Sequence, residues 1–193
     1  MFEKTAKTIT DKLLAEDIVL HEDKEIYLFG VQQGLNLILN LATMIAIGLV
    51  FGAVWELVVY TVFYGALRRF AGGYHARTQM NCYVLSAILL ATIAMLINFV
   101  EIQPIFLVWI ALFTCTNIIL LSPVADANKP LDKIEEKVYK RRAIIISIIQ
   151  LGTVLLGVYF DIVAIARIVT LALATVHLMI LAGLLRARSN SFC

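Results

Sequence analysis

The residues best suited to chemistry lie together, in RRFAGGYHARTQMNC from Arg68 to Cys82: three arginines, a glycine pair, one histidine and one cysteine. The rest of the chain is largely Ile, Leu, Val and Ala. A free thiol is only a few per cent thiolate at neutral pH and an imidazole can take its proton, so His75 and Cys82 form a candidate base and nucleophile. On one straight helix they would share a face, but seven residues separate them by ~10 Å along the axis, whereas hydrogen bonding needs about 3 Å. The chain must therefore bend between or before them, and Gly72-Gly73 supplies backbone freedom just upstream. Thr78 can then cap the next helix, leaving Cys82 in its first turns, where the positive end of the dipole favours a thiolate. Arg68, Arg69 and Arg77 add positive potential, and any of them could instead grip a substrate carboxylate.

The same residues have plainer uses. A histidine near a membrane interface is often only tolerated there, a cysteine in an apolar helix often only packs, and basic residues in a short loop often only set topology. His177 and Cys115 stand alone within apolar runs, and Cys193 lacks a CaaX pattern, so all three read as structural. No metal is expected, since His75 and Cys82 offer two ligands with no second pair at a convincing spacing. Three widely spaced cysteines make no disulfide framework. A net charge of +2 without a basic, aromatic-interleaved patch gives no reason to expect nucleic acid.

These residues need a membrane to position them. The 193-residue chain is 61% hydrophobic and 16% charged, with a mean hydropathy of +0.89, outside the range of a soluble domain. Its first 25 residues mix four lysines with seven acidic residues, which reads as an amphipathic surface helix rather than a removable signal peptide. Spans about 20 residues long are expected near 34–54, 80–100, 105–121, 143–160 and 162–185. A sixth run, Leu57 to Leu67, would cover only ~17 Å. It can cross only by borrowing its flanks, Trp55–Glu56 and Phe70–Tyr74, or else the motif dips into the bilayer. Six passes put fifteen of the sixteen Lys and Arg on one side, in 1–33, 68–79, 122–142 and 186–193. By the positive-inside rule both termini are cytoplasmic. Arg167, the sixteenth, is left to snorkel outward or to pair with a carboxylate. The fold class is thus all-α and polytopic, with six transmembrane helices, one short or re-entrant, plus an N-terminal amphipathic helix. It forms a single domain, 1–193, with a surface helix in 1–33, a motif loop in 68–79 and a basic cytoplasmic loop in 122–142.

Read as R-x4-G-x-H-x6-C, the set Arg68, Gly73, His75 and Cys82 after a short hydrophobic run resembles the AgrB family of bacterial membrane peptidases (accessory gene regulator protein B). The second loop, SPVADANKPLDKIEEKVYKRR, resembles the family's segment after its fourth span, with Pro123, Lys129 and Pro130 in matching places. The resemblance implies a cysteine endopeptidase of the bacterial cell membrane that cleaves the C-terminal tail of an AgrD-like quorum-sensing propeptide and promotes thiolactone closure. It implies Cys82 as nucleophile, His75 as its activator, and Arg68 and Gly73 as residues that shape the site. Gln79 and Asn81 remain possible orienters of the imidazole. The resemblance also implies a homodimer and no cofactor.

Lys129, Lys133, Lys137, Lys140, Arg141 and Arg142 read first as solvated, topology-setting or lipid-binding charges, and as candidate contacts for an acidic substrate tail. On a helix, Glu136 would pair with Lys140. Two other functions stay open: a non-enzymatic membrane carrier or assembly factor with Arg68, His75 and Arg167 along a polar path, and a lipid-modifying enzyme with a metal centre.

Overall fold

The computed structural model describes residues 2–74, 76, 78–124 and 132–190, the last four by backbone alone. Seven α-helices make up the described chain: α1 (Glu3–Ala15), α2 (Lys24–Phe51), α3 (Val54–Ala71), α4 (Gln79–Phe99), α5 (Pro104–Leu121), α6 (Lys133–Tyr159) and α7 (Val163–Asn190). Five of them, α2, α4, α5, α6 and α7, are long and apolar enough to cross a membrane. This is a multi-pass membrane protein of the all-α class.

α1 buries Ala6, Thr10 and Leu14, one residue per turn along a single stripe, and leaves its charged residues outside. Asp11 pairs with Lys24 at 2.9 Å, tying α1 to the start of α2. The surface helix is therefore only 13 residues long. The segment from Lys24 to Gln33, expected to lie outside the membrane span, continues into it as part of α2.

α3 carries the short run and is not one of those five, so five of the six expected spans are found. It is one continuous helix of 18 residues, ~27 Å long, taking in Trp55 and Glu56 at its start and Arg68 to Ala71 at its end. Glu56 in the first turn and Arg68 and Arg69 in the last oppose the helix dipole favourably. The two arginines thus belong to helix rather than loop. Likewise α6 begins at Lys133, so Lys133, Lys137, Lys140, Arg141 and Arg142 stand on helical turns and not in an irregular loop. Asp132 starts α6 with a capping box: its side chain accepts from Ile134 N and Glu135 N, both at 2.7 Å, while Glu135 accepts from Asp132 N.

α7 is the central helix. On one side Val169, Leu173, Val176 and Ile180 pack with Leu67 and Ala71 of α3, Leu107, Ala111 and Ile118 of α5, and Ala143 and Val154 of α6. On the other, Ile168 and Ala172 meet Met44 of α2, Leu57 and Tyr60 of α3, and Ile93, Ala94 and Ile97 of α4. Fully buried alanines at positions 71, 111, 143, 166 and 172 let these backbones approach closely, the usual device where lipid offers no hydrophobic drive to association.

Arg167 meets no carboxylate among the described residues. Its guanidinium donates to the carbonyls of Ile97 (3.1 Å) and Val100 (3.3 Å), satisfying the C-terminus of α4. Cys115 is buried and its thiol points at the Ser147 carbonyl, 3.6 Å away. His177 is buried edge-on to Phe113, with ring centroids 5.7 Å apart. Both are packing residues, as their isolation in the sequence implied. The Glu136–Lys140 pair does not form, for Lys24–Asp11 is the single salt bridge among the described residues.

Candidate active site

After Ala71 the chain leaves α3 and turns sharply. Gly72 has φ +71° and Gly73 φ +112°, both in the region that favours glycine. The turn is fixed by pairing with the segment that follows α5: Val124 N donates to Ala71 O (3.0 Å) and Gly73 N to Val124 O (3.2 Å). A Cβ on Gly72 would stand 2.1 Å from the Val124 carbonyl oxygen, so no other residue fits there. The two sequence segments that carry the family resemblance are thereby hydrogen-bonded to each other.

The turn also leans on α7. Tyr74 N donates to Met179 O at 2.8 Å, and a Cβ on Gly73 would come within 2.6 Å of that same oxygen. α7 can come this close because residue 183 is glycine: a Cβ there would lie 2.9 Å from both the Gly73 carbonyl carbon and Tyr74 N. Nothing in the sequence distinguishes Gly183 and Met179 from other residues of the last span.

Arg68 closes the frame. Its guanidinium folds back over the turn and donates to the carbonyls of Gly72 and Tyr74. Both partners are carbonyls of its own turn. Arg69 lies over the Phe70 ring at 5.8 Å, and Arg142 of α6 over the same ring at 5.3 Å. Lys133, Lys137, Lys140 and Arg141 are exposed on the first turns of α6. His75, Arg77 and Lys129 lie outside the described residues.

Thr78 caps α4. Its hydroxyl accepts from Asn81 N at 3.2 Å, and its carbonyl accepts from Cys82 N at 3.0 Å. The bend therefore falls before the helix, and Cys82 occupies its first turn. The thiol is half-buried and faces α2 across a cavity of about 170 Å³. Gln33, Asn36 and Asn40 of α2 line one side; Gln79, Cys82 and Ser86 of α4 line the other. Three amides at positions i, i+3 and i+7 make a polar stripe inside an apolar helix, a costly arrangement in a membrane. That spacing is legible in the sequence. Tyr83 and Thr43 join the two helices by a 2.8 Å hydroxyl pair. Asn81 points the other way, to a groove between α4 and α7 shared with Tyr74 and Ala76, so only Gln79 of the two possible imidazole orienters lines the Cys82 cavity.

Arg167 stands apart. It precedes Met179 by twelve residues on α7, ~18 Å along the axis. No cluster of three or more His, Cys, Asp or Glu that could hold a metal occurs among the described residues.

The model of the family Accessory gene regulator B matches residues 6–186. The chain belongs to the AgrB family. It is similar to AgrB-like protein 2 of Clostridium perfringens (strain 13 / Type A), with 26% identity over 71% of this chain and 67% of that one. It is also similar to accessory gene regulator protein B of Staphylococcus lugdunensis, with 27% identity over 62% of this chain and 63% of the relative. No solved structure matches. As an AgrB-family member, the protein has a role in the accessory gene regulator system.

Proposed function

We propose that this AgrB-family protein is a membrane cysteine endopeptidase that removes the C-terminal tail of an AgrD-like precursor peptide and promotes its closure to a thiolactone. The observation that carries this is the half-buried Cys82 thiol in the first turn of α4, opening on a cavity lined by amides. Peptide backbone brought into a bilayer needs partners for its N–H and C=O groups, and side-chain amides supply both.

His75 takes the Cys82 proton, and the sulfur attacks a carbonyl carbon of the precursor. The imidazolium then protonates the departing amine, leaving the peptide as a thioester on Cys82. A cysteine thiol within the peptide attacks that carbonyl and Cys82 leaves as the thiolate, which recovers the proton. One thioester replaces another, so ring closure needs no ATP, and exclusion of water disfavours the linear acid. Arg68 and Gly73 shape the segment that leads into His75, and Arg69 and Arg77 add positive charge nearby.

The whole chain acts as one membrane domain, with both termini and the 122–142 segment cytoplasmic. Lys133, Lys137, Lys140 and Arg141, with Lys129, meet the acidic precursor tail or anionic lipid; Arg142 contributes less because it is stacked on Phe70. The homodimer rests on family likeness. The protein itself supplies the chemistry, with no cofactor.

Co-expression of the chain with a precursor tests this. Cys82→Ser, Cys82→Ala and His75→Gln are each expected to abolish cleavage while the chain still inserts in the membrane. Thiol alkylation should inhibit the reaction and chelators should not. Cleavage that survives Cys82→Ala refutes the nucleophile.

A further inference from the structure

α2 and α4 run parallel, for Gln32 meets Gln79 at 3.5 Å and, farther along both helices, Thr43 meets Tyr83 at 2.8 Å. These two links bracket the cavity in front of Cys82 and hold α2 at that level against α4. Attack by a thiolate on a carbonyl carbon puts a negative charge on the carbonyl oxygen, which needs a donor within about 3 Å. The backbone N–H groups nearest the sulfur are already used: Cys82 N donates to Thr78 O at 3.0 Å, and Asn81 N to the Thr78 hydroxyl at 3.2 Å. Ser86 stands one turn, ~6 Å, farther along α4. The amides of α2 remain. Asn40 Nδ2 donates to Asn36 O at 2.8 Å, within its own helix. Gln33 is exposed, whereas Asn36 is half-buried, lies in the middle of the stripe, and has no side-chain hydrogen bond to another described residue.

We propose that the side-chain amide of Asn36, across the cavity from Cys82, is the donor that holds the negative oxygen formed when the sulfur attacks the substrate carbonyl. This rests on Cys82 being the nucleophile. A sulfur lone pair forms the new carbon–sulfur bond, the carbonyl π pair moves onto oxygen, and that oxygen accepts a hydrogen bond from Asn36 Nδ2 without taking its proton. The pair returns to carbon as the leaving group departs. An amide suits this place. A neutral donor waits inside a membrane without the cost of an unpaired cation, and in a poorly screened site its dipole counts for more than it would in water. The links at either end of the cavity hold α2 where the oxygen will form, so little has to reorganise during the reaction. The bond is strongest to the charged oxygen, so its loss slows the chemical step more than it weakens binding.

Two probes of the same thiol separate this role from a structural one. N-acetylglycine ethyl thioester acylates Cys82 through a negative oxygen: the sulfur bonds to the acyl carbon, the probe's carbon–sulfur bond breaks, and ethanethiol leaves with the proton. Iodoacetamide alkylates the same sulfur at a saturated carbon, with loss of iodide and the proton, and no such oxygen forms. Both are offered to the full chain in native membranes, and the reaction at Cys82 is timed by peptide mapping and mass spectrometry. Asn36→Leu, which keeps the size of the side chain and removes the donor, is expected to slow acylation about 100- to 1000-fold and to leave alkylation nearly unchanged. Asn36→Ala, which cannot crowd the cavity, should lower the acylation-to-alkylation ratio as well. Each ratio comes from one preparation, so a lower yield of folded protein does not imitate the effect. A ratio that neither variant moves overturns the role of Asn36 and leaves Cys82 as nucleophile. Equal loss of both reactions also overturns it, because Asn36 would then govern access to the thiol or its ionisation. Failure of the thioester to acylate Cys82 in the unsubstituted chain overturns the donor and the peptidase together.

Discussion

One methyl group on α7 should be enough to disable the motif. A Cβ at Gly183 would stand 2.9 Å from the Gly73 carbonyl carbon and from Tyr74 N, and 3.0 Å from Gly73 Cα. Non-bonded carbons settle at about 3.5–4.0 Å, so Gly183→Ala must push the turn about 0.5–1 Å away from α7. Only backbone is available to give way, on both sides of the contact. The shift stretches the 2.8 Å bond from Tyr74 N to Met179 O beyond useful range. Overpacking of this kind costs about 1–3 kcal/mol and the lost hydrogen bond about 1 kcal/mol more. The apolar span is unchanged, so insertion should be normal. His75 follows Tyr74 directly, and a misplacement of about 1 Å in a reacting group costs on the order of 100-fold in rate. Gly183→Ala is therefore expected to slow precursor cleavage about 100-fold, and Gly183→Val to abolish it. The assay is the ratio of product to precursor in membranes, normalised to the amount of inserted chain. Gly152→Ala in α6, where a Cβ meets nothing within 4 Å, serves as the control and should cleave normally. Full cleavage by Gly183→Val, or an equal loss in Gly152→Ala, would refute the reasoning.

Arg68→Lys should lose most precursor cleavage, about 10-fold or more, because an ammonium cannot span the Gly72 and Tyr74 carbonyls as the planar guanidinium does; normal turnover would count against the frame. Arg167→Met leaves the carbonyls of Ile97 and Val100 without their donor and should destabilise the protein by about 1–3 kcal/mol, read as a lower Tm in detergent, with cleavage per folded molecule unchanged. Single cysteines placed at Glu101 and Asp161 should react with an impermeant thiol reagent added outside cells, whereas one at Lys137 should react only after the membrane is opened; the reverse pattern would invert the topology.

Hydropathy made the helices legible in the sequence because lipid allows few alternatives to helix for an apolar run. The short run around Leu57–Leu67 could be resolved only as a choice, since whether Glu56 and Arg68 join the helix depends on what they face. Arg68 joins because its head is taken up by the next turn. Local chemistry was equally readable: Thr78 caps α4, and the glycine pair turns the chain. What could not be read were contacts between residues far apart in the chain. Val124 against Gly73, and Met179 against Tyr74, join backbones, and backbone groups leave no trace in residue type. The role of Arg167 is illegible for the same reason: its partners are carbonyls at the end of another helix.

The candidate site lies where two kinds of packing meet. Arg68 and the Gly72–Tyr74 turn are held against α7, the most buried of the five long apolar helices, whereas Cys82 belongs to α4 and looks toward α2, the two least buried. Separating α2 from α4 exposes apolar surface only to lipid, which costs far less than exposing it to water. Their polar contacts resist more: the Thr43–Tyr83 hydroxyl pair at 2.8 Å and the bond from Gln32 to Gln79 at 3.5 Å must find other partners if the helices part. The frame resists most, because moving it would break backbone pairing to α7 and to Val124 at once. A molecule reaching Cys82 from the bilayer thus meets least opposition between α2 and α4, and less if it carries donors and acceptors of its own. The thiol stands on the wall that can yield, and the turn leading to His75 on the one that cannot.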